Sequence, residues 1–171
     1  MKTSELTSPR FYGRRKGRPL RRGMQVLLTD MLPNLRFDPT RSIATQFGQA
    51  TSQQADLVLE IGFGGGEHLA CLADANPAVN FIGAEPFTNG VASLLRHIQT
   101  HLLSNIRIWD DDVRLILPSL PYAGLSQVFI MFPDPWPKKR HAARRILQPE
   151  MMDVLAQLIR PGGQLVLASD D

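Results

Sequence analysis

Acidic residues lie near or directly after the ends of three predicted strands, at positions where the edge of a sheet could hold a ligand. Glu60 lies near the end of the first strand and Glu85 ends the second. Asp112 follows the third strand, where the adjacent Asp110 and Asp111 leave the register open. Because ligands bind outside the carboxyl ends of the strands in open α/β sheets, we expect these carboxylates to share one cleft.

A glycine turn joins the first predicted strand to the helix after it. Gly62 and Gly64 let the backbone approach a ligand closely, because glycine has no Cβ. A dinucleotide fingerprint starting at these glycines needs Gly or Ala where the chain has Glu67, an anion that would face a phosphate. A dinucleotide oxidoreductase is therefore the weakest alternative. The carboxylate of Glu60 suits a cationic ligand better, and S-adenosylmethionine carries an ammonium and a sulfonium.

An unusual loop, Phe132-Pro133-Asp134-Pro135-Trp136, follows the fourth predicted strand. The prolines on both sides of Asp134 stiffen the loop and hold the carboxylate at the carboxyl edge of the sheet. Basic side chains and a histidine come next: Lys138, Lys139, Arg140, His141, Arg144 and Arg145. No packing requirement explains this order of residues, so we expect it to serve a reaction site.

The chain resembles the tRNA (guanine-N7)-methyltransferase family through two motifs. Glu-Ile-Gly-Phe-Gly at residues 60–64 is the less specific motif, and Phe-Pro-Asp-Pro-Trp at residues 132–136 is far more specific. The resemblance runs from about residue 11 to the end of the chain. It implies transfer of a methyl group from S-adenosylmethionine to N7 of guanosine 46 in tRNA.

The resemblance also implies roles for individual residues. The acids that match the family's cofactor contacts are Glu60, Glu85, Asp112 and Asp134. Asp134 also matches the proposed catalytic residue, while Lys138 and Asp170 match substrate-binding positions. Arg140 and Arg144 lie beside this presumed reaction site, so we expect them to bind the substrate too.

The chemistry of guanine N7 is consistent with this assignment. The atom already presents a lone pair on the Hoogsteen edge, so no base has to remove a proton before attack. Positive charge appears on the purine as the methyl group moves. We expect the Asp134 carboxylate to stabilise that charge and to accept hydrogen bonds from the N1 and N2 donors of guanine.

Short apolar runs alternate with helical patterns from residue 55 onward. The predicted strands cover residues 57–61, 79–84, 106–109, 127–132 and 164–168. The predicted helices cover residues 67–75, 89–103, 113–117 and 149–159, with Asn89 as a cap. This alternation predicts a mostly parallel sheet with helices on both faces, which is a three-layer doubly wound α/β fold. The histidines His68, His97 and His101 lie on predicted helices and are expected to be ordinary, partly exposed side chains.

The resemblance implies a Rossmann-like methyltransferase fold with seven strands, whereas the chain ends at Asp171 after the fifth. Two strands are therefore expected to be lacking, which leaves the fourth or fifth strand as an exposed edge. A catalytically impaired RNA-binding fragment remains an alternative on this ground. An S-adenosylmethionine methyltransferase for another substrate, such as adenine or a protein side chain, is the second alternative.

Residues 1–54 are rich in Arg, Gly, Pro and Thr and lack sustained apolar periodicity. We predict a partly flexible basic arm there and a C-terminally shortened methyltransferase domain over residues 55–171. The cations of the arm are Arg10, Arg14, Arg15, Lys16, Arg18, Arg21 and Arg22. Together with Phe11 and Tyr12, which can stack on unpaired bases, they favour binding to tRNA over a merely solubilising tail.

Composition narrows the remaining possibilities. The net charge is +3, and no stretch approaches the roughly 18 apolar residues of a membrane span. The N-terminus lacks the apolar region of a signal peptide, so we expect a cytoplasmic protein without a membrane partner. Cys71 is the single cysteine, which excludes an internal disulfide, and we expect it to be buried on a helix. We expect no bound metal, and both a monomer and a homodimer remain open.

Overall fold

Five parallel strands form the sheet at the centre of the computed structural model, which describes residues 11–48 and 55–169. The strands are β1 (Leu57–Ile61), β2 (Asn80–Ala84), β3 (Ile106–Trp109), β4 (Leu125–Met131) and β5 (Ile159–Ala168). Their order is β3-β2-β1-β4-β5, and every neighbouring pair is parallel. The predicted α/β fold with a parallel sheet is confirmed.

The α-helices of the described residues are α1 (Arg22–Asp30), α2 (Leu32–Leu35), α3 (Ile43–Gln46), α4 (Glu67–Ala75), α5 (Thr88–His101) and α6 (Pro149–Leu158). The helix predicted over residues 113–117 is instead two short 3-10 turns, Val113–Leu115 and Leu117–Ser119. Pro118 has no backbone N–H and cannot continue a helix that starts before it. A third 3-10 segment covers Lys139–Arg144.

Alternate residues of β1 point to opposite faces of the sheet, as the pleat of a strand requires. Leu59 packs with Leu155 of α6 in one apolar cluster, and Val58 packs with Leu69 of α4 and Leu95 of α5 in the other. All five residues of β1 are buried, including Glu60. The sheet is therefore the middle of three layers, and β1 at its centre carries the first acid of the site.

The N-terminal segment differs from the predicted arm in part. Over residues 22–47 the chain folds onto the sheet: Leu32 and Phe37 are buried, and the Phe37 N–H donates to the carbonyl of Ile108 at 2.8 Å. Two of the helices in this segment are only four residues long, too short to produce a periodic pattern. This part of the predicted arm is therefore packed against the domain, while residues 1–10 and 49–54 lie outside the described residues.

Two element boundaries differ from the prediction. β5 starts at Ile159 rather than at residue 164. The four residues between Ile159 and Gln164 form a bulge opposite β4 around Gly162. The cap of α5 is Phe87, so Asn89 lies inside the first turn of that helix instead of capping it. Cys71 is exposed on α4 rather than buried.

Among the described residues β5 lies at one edge of the sheet, in agreement with the expected exposed strand, and Leu167 on it is 47% exposed. The helices in this part of the chain are all too short or too polar to cross a membrane.

Candidate functional site

The strand order brings three of the predicted acids to one end of the sheet. Glu60 on β1 pairs in register with Gly83 of β2 and with Phe129 of β4. Glu85 follows β2 directly, and Asp134 lies in the loop after β4. Because β2 and β4 both pair with β1 in parallel, the carboxyl ends of the three strands lie side by side, and the negative charge of Asp134 helps to raise the pKa of Glu85.

The glycine turn after β1 presents open backbone at this edge. Gly62, Gly64 and Gly66 have positive φ angles of 72°, 57° and 83°, which L side chains rarely adopt. A Cβ at Gly62 or Gly64 would meet no protein atom within 4 Å, whereas one at Gly90 would lie 2.2 Å from the Gly64 carbonyl oxygen. The helix α5 therefore starts directly against the turn, and the other side of the turn is open to a ligand.

The carboxylate of Glu85 ties the turn to α5. One oxygen accepts the N–H of Gly64 and the other accepts the N–H of Phe87, both at 2.9 Å. Burial raises the pKa of Glu85, and the two backbone N–H groups oppose that rise. Each carboxylate oxygen has a second lone pair, so Glu85 can still accept a hydrogen bond from a ligand.

Glu60 has a partner that the sequence analysis missed. Its side chain is 2% exposed, and Nδ1 of His68 lies 2.9 Å from one carboxylate oxygen. The His68 ring also meets Phe129 edge-on, with ring centroids 5.0 Å apart. Burial raises the pKa of Glu60, while the hydrogen bond and charge of His68 lower it. Only the fold of the glycine turn brings His68 back to Glu60, so no local pattern could have shown this pair.

The structure separates the three acids after β3 by their burial and partners. Asp112 is 5% exposed and holds Arg114 through both carboxylate oxygens. Asp110 instead pairs with Arg36 at 2.7 Å, and Asp111 pairs on the surface with an arginine of the N-terminal segment. Asp112 is therefore the buried acid of this loop, and its carboxylate faces Arg114.

The loop after β4 is held in an uncommon backbone conformation. Phe132 and Trp136 have φ angles of 51° and 42°, in the region that favours glycine. The Phe132 N–H donates to the carbonyl of Ala168, and the Arg145 guanidinium donates to the carbonyls of Pro135 and Trp136 at 3.2 Å. Strained backbone of this kind persists where the surroundings hold it, and such positions cluster at functional sites.

The basic residues near this loop have different environments. The Arg144 guanidinium lies 4.9 Å from the ring centroid of Tyr12 and 5.0 Å from that of Trp136. Lys138 and Arg140 are exposed, as is Asp134. Asp170, a predicted substrate-binding residue, lies outside the described residues.

Residues 11–20, here called the strap, lie against the same edge of the sheet. The Thr88 N–H donates to the carbonyl of Arg15 at 2.9 Å. Asn89 accepts the N–H of Gly17 and donates to the carbonyl of Arg18, both at 2.8 Å. The strap also reaches the loop after β3, because Arg15 pairs with Asp111 at 2.7 Å. Asn89 is thus a clamp for the strap, a role that its sequence position did not indicate.

The site is rich in carboxylates, yet within residues 11–48 and 55–169 no three His, Cys, Asp or Glu side chains are grouped to hold a metal ion. The donor set fits an organic cation better. Two buried carboxylates, Glu60 and Glu85, flank an open glycine turn, and an exposed one, Asp134, lies in the neighbouring loop.

Known proteins similar to this chain are methyltransferases. A family described as "Putative methyltransferase" matches residues 54–171. A tRNA (guanine-N(7)-)-methyltransferase of Paramagnetospirillum magneticum is 50% identical over 95% of this chain and 70% of its own length. The enzymes of the same name from Rhodospirillum rubrum and Caulobacter vibrioides are 48% and 47% identical, over 95% and 94% of this chain and 65% and 70% of their own lengths.

Solved structures similar to this chain share its fold at low identity. A 30S ribosomal A1408 methyltransferase from an uncultured bacterium has a TM-score of 0.54 and 16% identity over 77% of this chain and 60% of its own. The 16S rRNA methyltransferase KamB has a TM-score of 0.51 and 23% identity over 77% of this chain and 62% of its own.

Proposed function

The chain belongs to the tRNA (guanine-N7)-methyltransferase family, and we propose that it transfers the methyl group of S-adenosylmethionine to N7 of guanosine 46 in tRNA. The observation that carries the proposal is the shared edge of Glu60, Glu85 and Asp134 beside the open glycine turn. The position of the guanosine rests on the family resemblance of the sequence.

The cofactor supplies an electrophilic methyl group on a cationic sulfur. Glu60 would hold the positively charged methionine end of the cofactor, because it is a buried carboxylate next to the turn. Glu85 would accept hydrogen bonds from the ribose hydroxyls through the lone pairs that Gly64 and Phe87 leave unused. The exposed backbone at Gly62 and Gly64 would let the cofactor approach without a side-chain collision.

Asp134 would orient the purine rather than take a proton from it. Its carboxylate is exposed and lies on a loop that prolines and Arg145 hold in place. Hydrogen bonds from guanine N1 and N2 to this carboxylate would present N7 to the methyl group. The negative charge of Asp134 would also stabilise the positive charge that develops on the ring.

Cations surround the edge where the tRNA would bind. Lys138 and Arg140 lie beside the Asp134 loop, and the strap adds exposed cations such as Arg14 and Lys16. The strap itself is fixed to α5 through Asn89, so its charges are held at the reaction edge. These side chains would displace the cations condensed along the tRNA phosphates, and the release of those counterions makes the interaction strong at low salt.

A methylation assay on two tRNA transcripts tests the proposal. The purified chain is incubated with methyl-labelled S-adenosylmethionine and a transcript that carries guanosine 46, or a matched transcript with adenosine there. We expect N7-methylguanosine at position 46 of the first transcript and no label in the second. Label in both transcripts would indicate another nucleotide, and cofactor binding without any transfer would support the RNA-binding fragment instead.

A further inference from the structure

We propose that His68 is a positioning residue for the cofactor: its imidazole holds the Glu60 carboxylate in place to receive the cationic end of S-adenosylmethionine. The inference deepens the proposed function and depends on it. It rests on the 2.9 Å contact between Nδ1 of His68 and the buried Glu60 carboxylate.

The two strands beside Glu60 leave few other ways to support its carboxylate. The residue paired with it on β2 is Gly83, which has no side chain, and the one on β4 is Phe129, which is apolar. A Cβ at Gly83 would lie 2.5 Å from the Leu69 side chain, so no larger residue with a donor fits there without repacking. A buried carboxylate without a hydrogen-bond donor is costly, and His68 supplies that donor from α4.

His68 is itself fixed in place. It lies on the first turn of α4, one residue after Glu67, and its ring packs edge-on against Phe129. Its side chain remains 39% exposed, so the imidazole can exchange protons with solvent while one nitrogen faces Glu60. Phe129 therefore sets the ring orientation, and the ring sets the orientation of the carboxylate.

His68 also affects the protonation of Glu60, as the charged groups around that carboxylate show. Burial raises the pKa of Glu60, and His68 is the group that lowers it through its hydrogen bond and charge. The Glu85 carboxylate faces the N–H groups of Gly64 and Phe87, and Asp134 acts on Glu85. On α4, the neighbouring Glu67 is exposed and lies 3.8 Å from His97 rather than against Glu60.

A neutral Glu60 would not attract the ammonium of the cofactor. Loss of His68 should move the titration of Glu60 to higher pH, because the unopposed effect of burial favours the protonated acid. As the pH falls, the variant should therefore lose its affinity for the cofactor at a higher pH than the unmodified chain does.

Two substitutions and one control separate this role from simple packing. His68→Leu removes the donor, whereas His68→Asn places an amide Nδ2 near the position of the imidazole Nδ1. His101→Leu changes an exposed histidine at the end of α5, away from the site, and is the matched control. Titration of the Glu60 carboxyl by 13C NMR without cofactor, and calorimetry with S-adenosylhomocysteine between about pH 6 and pH 9, are the readouts.

For His68→Leu we expect a higher Glu60 midpoint and at least a ~10-fold weaker Kd near pH 6.5, with recovery as the pH rises. His68→Asn should restore part of both, and His101→Leu should change neither. An unchanged Glu60 midpoint in His68→Leu, or an equal loss of affinity at every pH in both His68 variants, would overturn the proposal. If the unmodified chain does not bind S-adenosylhomocysteine at all, the proposed function fails, while the NMR titration still reports whether His68 acts on Glu60.

Discussion

Among the individual residues, Glu85 has two roles: it is proposed to bind the cofactor, and it joins the glycine turn to α5. Both of its oxygens accept backbone N–H groups, so Glu85→Gln would turn an amide NH2 against one of these donors. We expect the substitution to cost about 1–3 kcal/mol in unfolding free energy and to raise the Kd for S-adenosylmethionine at least ~10-fold. Chemical denaturation and calorimetry measure the two effects. The exposed Glu150→Gln serves as the control, and similar values for both variants would contradict the role.

Asp134, unlike Glu85, has a proposed ligand role without a structural one. Its side chain is exposed, and Arg145 holds the backbone of its loop. Asp134→Ala should lower the methylation rate at least ~100-fold, since the charge that stabilises the methylated purine is lost. Stability and tRNA affinity should change little. Single-turnover methylation, thermal melting and filter binding check this expectation, with the exposed Asp153→Ala as control. Unchanged turnover would remove Asp134 from the mechanism.

The protonation of buried Glu60 should make the stability of the cofactor-free chain depend on pH. Its pKa is raised in the folded state, so the folded protein binds a proton more tightly than the unfolded chain does. The contribution of Glu60 to stability is therefore present at low pH and is lost as the pH rises through the raised pKa. We expect Glu60→Gln to have a higher Tm than the unmodified chain near pH 8 and this difference to shrink as the pH falls. Calorimetric scans over that range measure it, and a constant difference would refute the explanation.

At the element scale, the strap depends on the clamp at the start of α5. Asn89→Ala removes two side-chain hydrogen bonds to the strap, each worth about 1 kcal/mol. We expect amide hydrogen exchange in residues 11–20 to become about tenfold faster or more. Trypsin should also cut sooner after Arg14 and Lys16. Asn34→Ala, on an exposed part of α2, is the control, and equal exchange in both variants would show that other contacts hold the strap.

At the scale of the whole molecule, the position of the cations matters more than the net charge of +3. tRNA binding should weaken steeply with salt, because the strap and the residues after Asp134 place several cations at one edge. Deletion of residues 1–20 removes six cations and should lower the slope of log K against log salt by about four to five, at roughly one phosphate contact per lost cation. The deletion stops before Arg21, whose carbonyl accepts N–H groups of α1. A slope equal to that of the full chain would exclude a role for the strap.

The strands of the sheet and the types of residue at its carboxyl edge follow from local features of the sequence. Strands such as β1 and β3 were predictable to the residue, because buried parallel strands are short apolar runs bounded by turn residues. The glycine turn and the Pro-Asp-Pro loop were also visible, since backbone at positive φ and stiff loops need particular residue types.

Which side chains meet depends on the path of the folded chain. The contact of His68 with Glu60, the clamp of Asn89 on the strap and the pairing of Arg36 with Asp110 depend on chain paths that leave no periodic trace. The same holds for α2 and α3, because a helix of a single turn gains its stability from packing on the sheet rather than from its own propensity. Strand order is likewise a property of the whole fold, and it is this order that brings Glu60 on β1 and the acids after β2 and β4 to one edge.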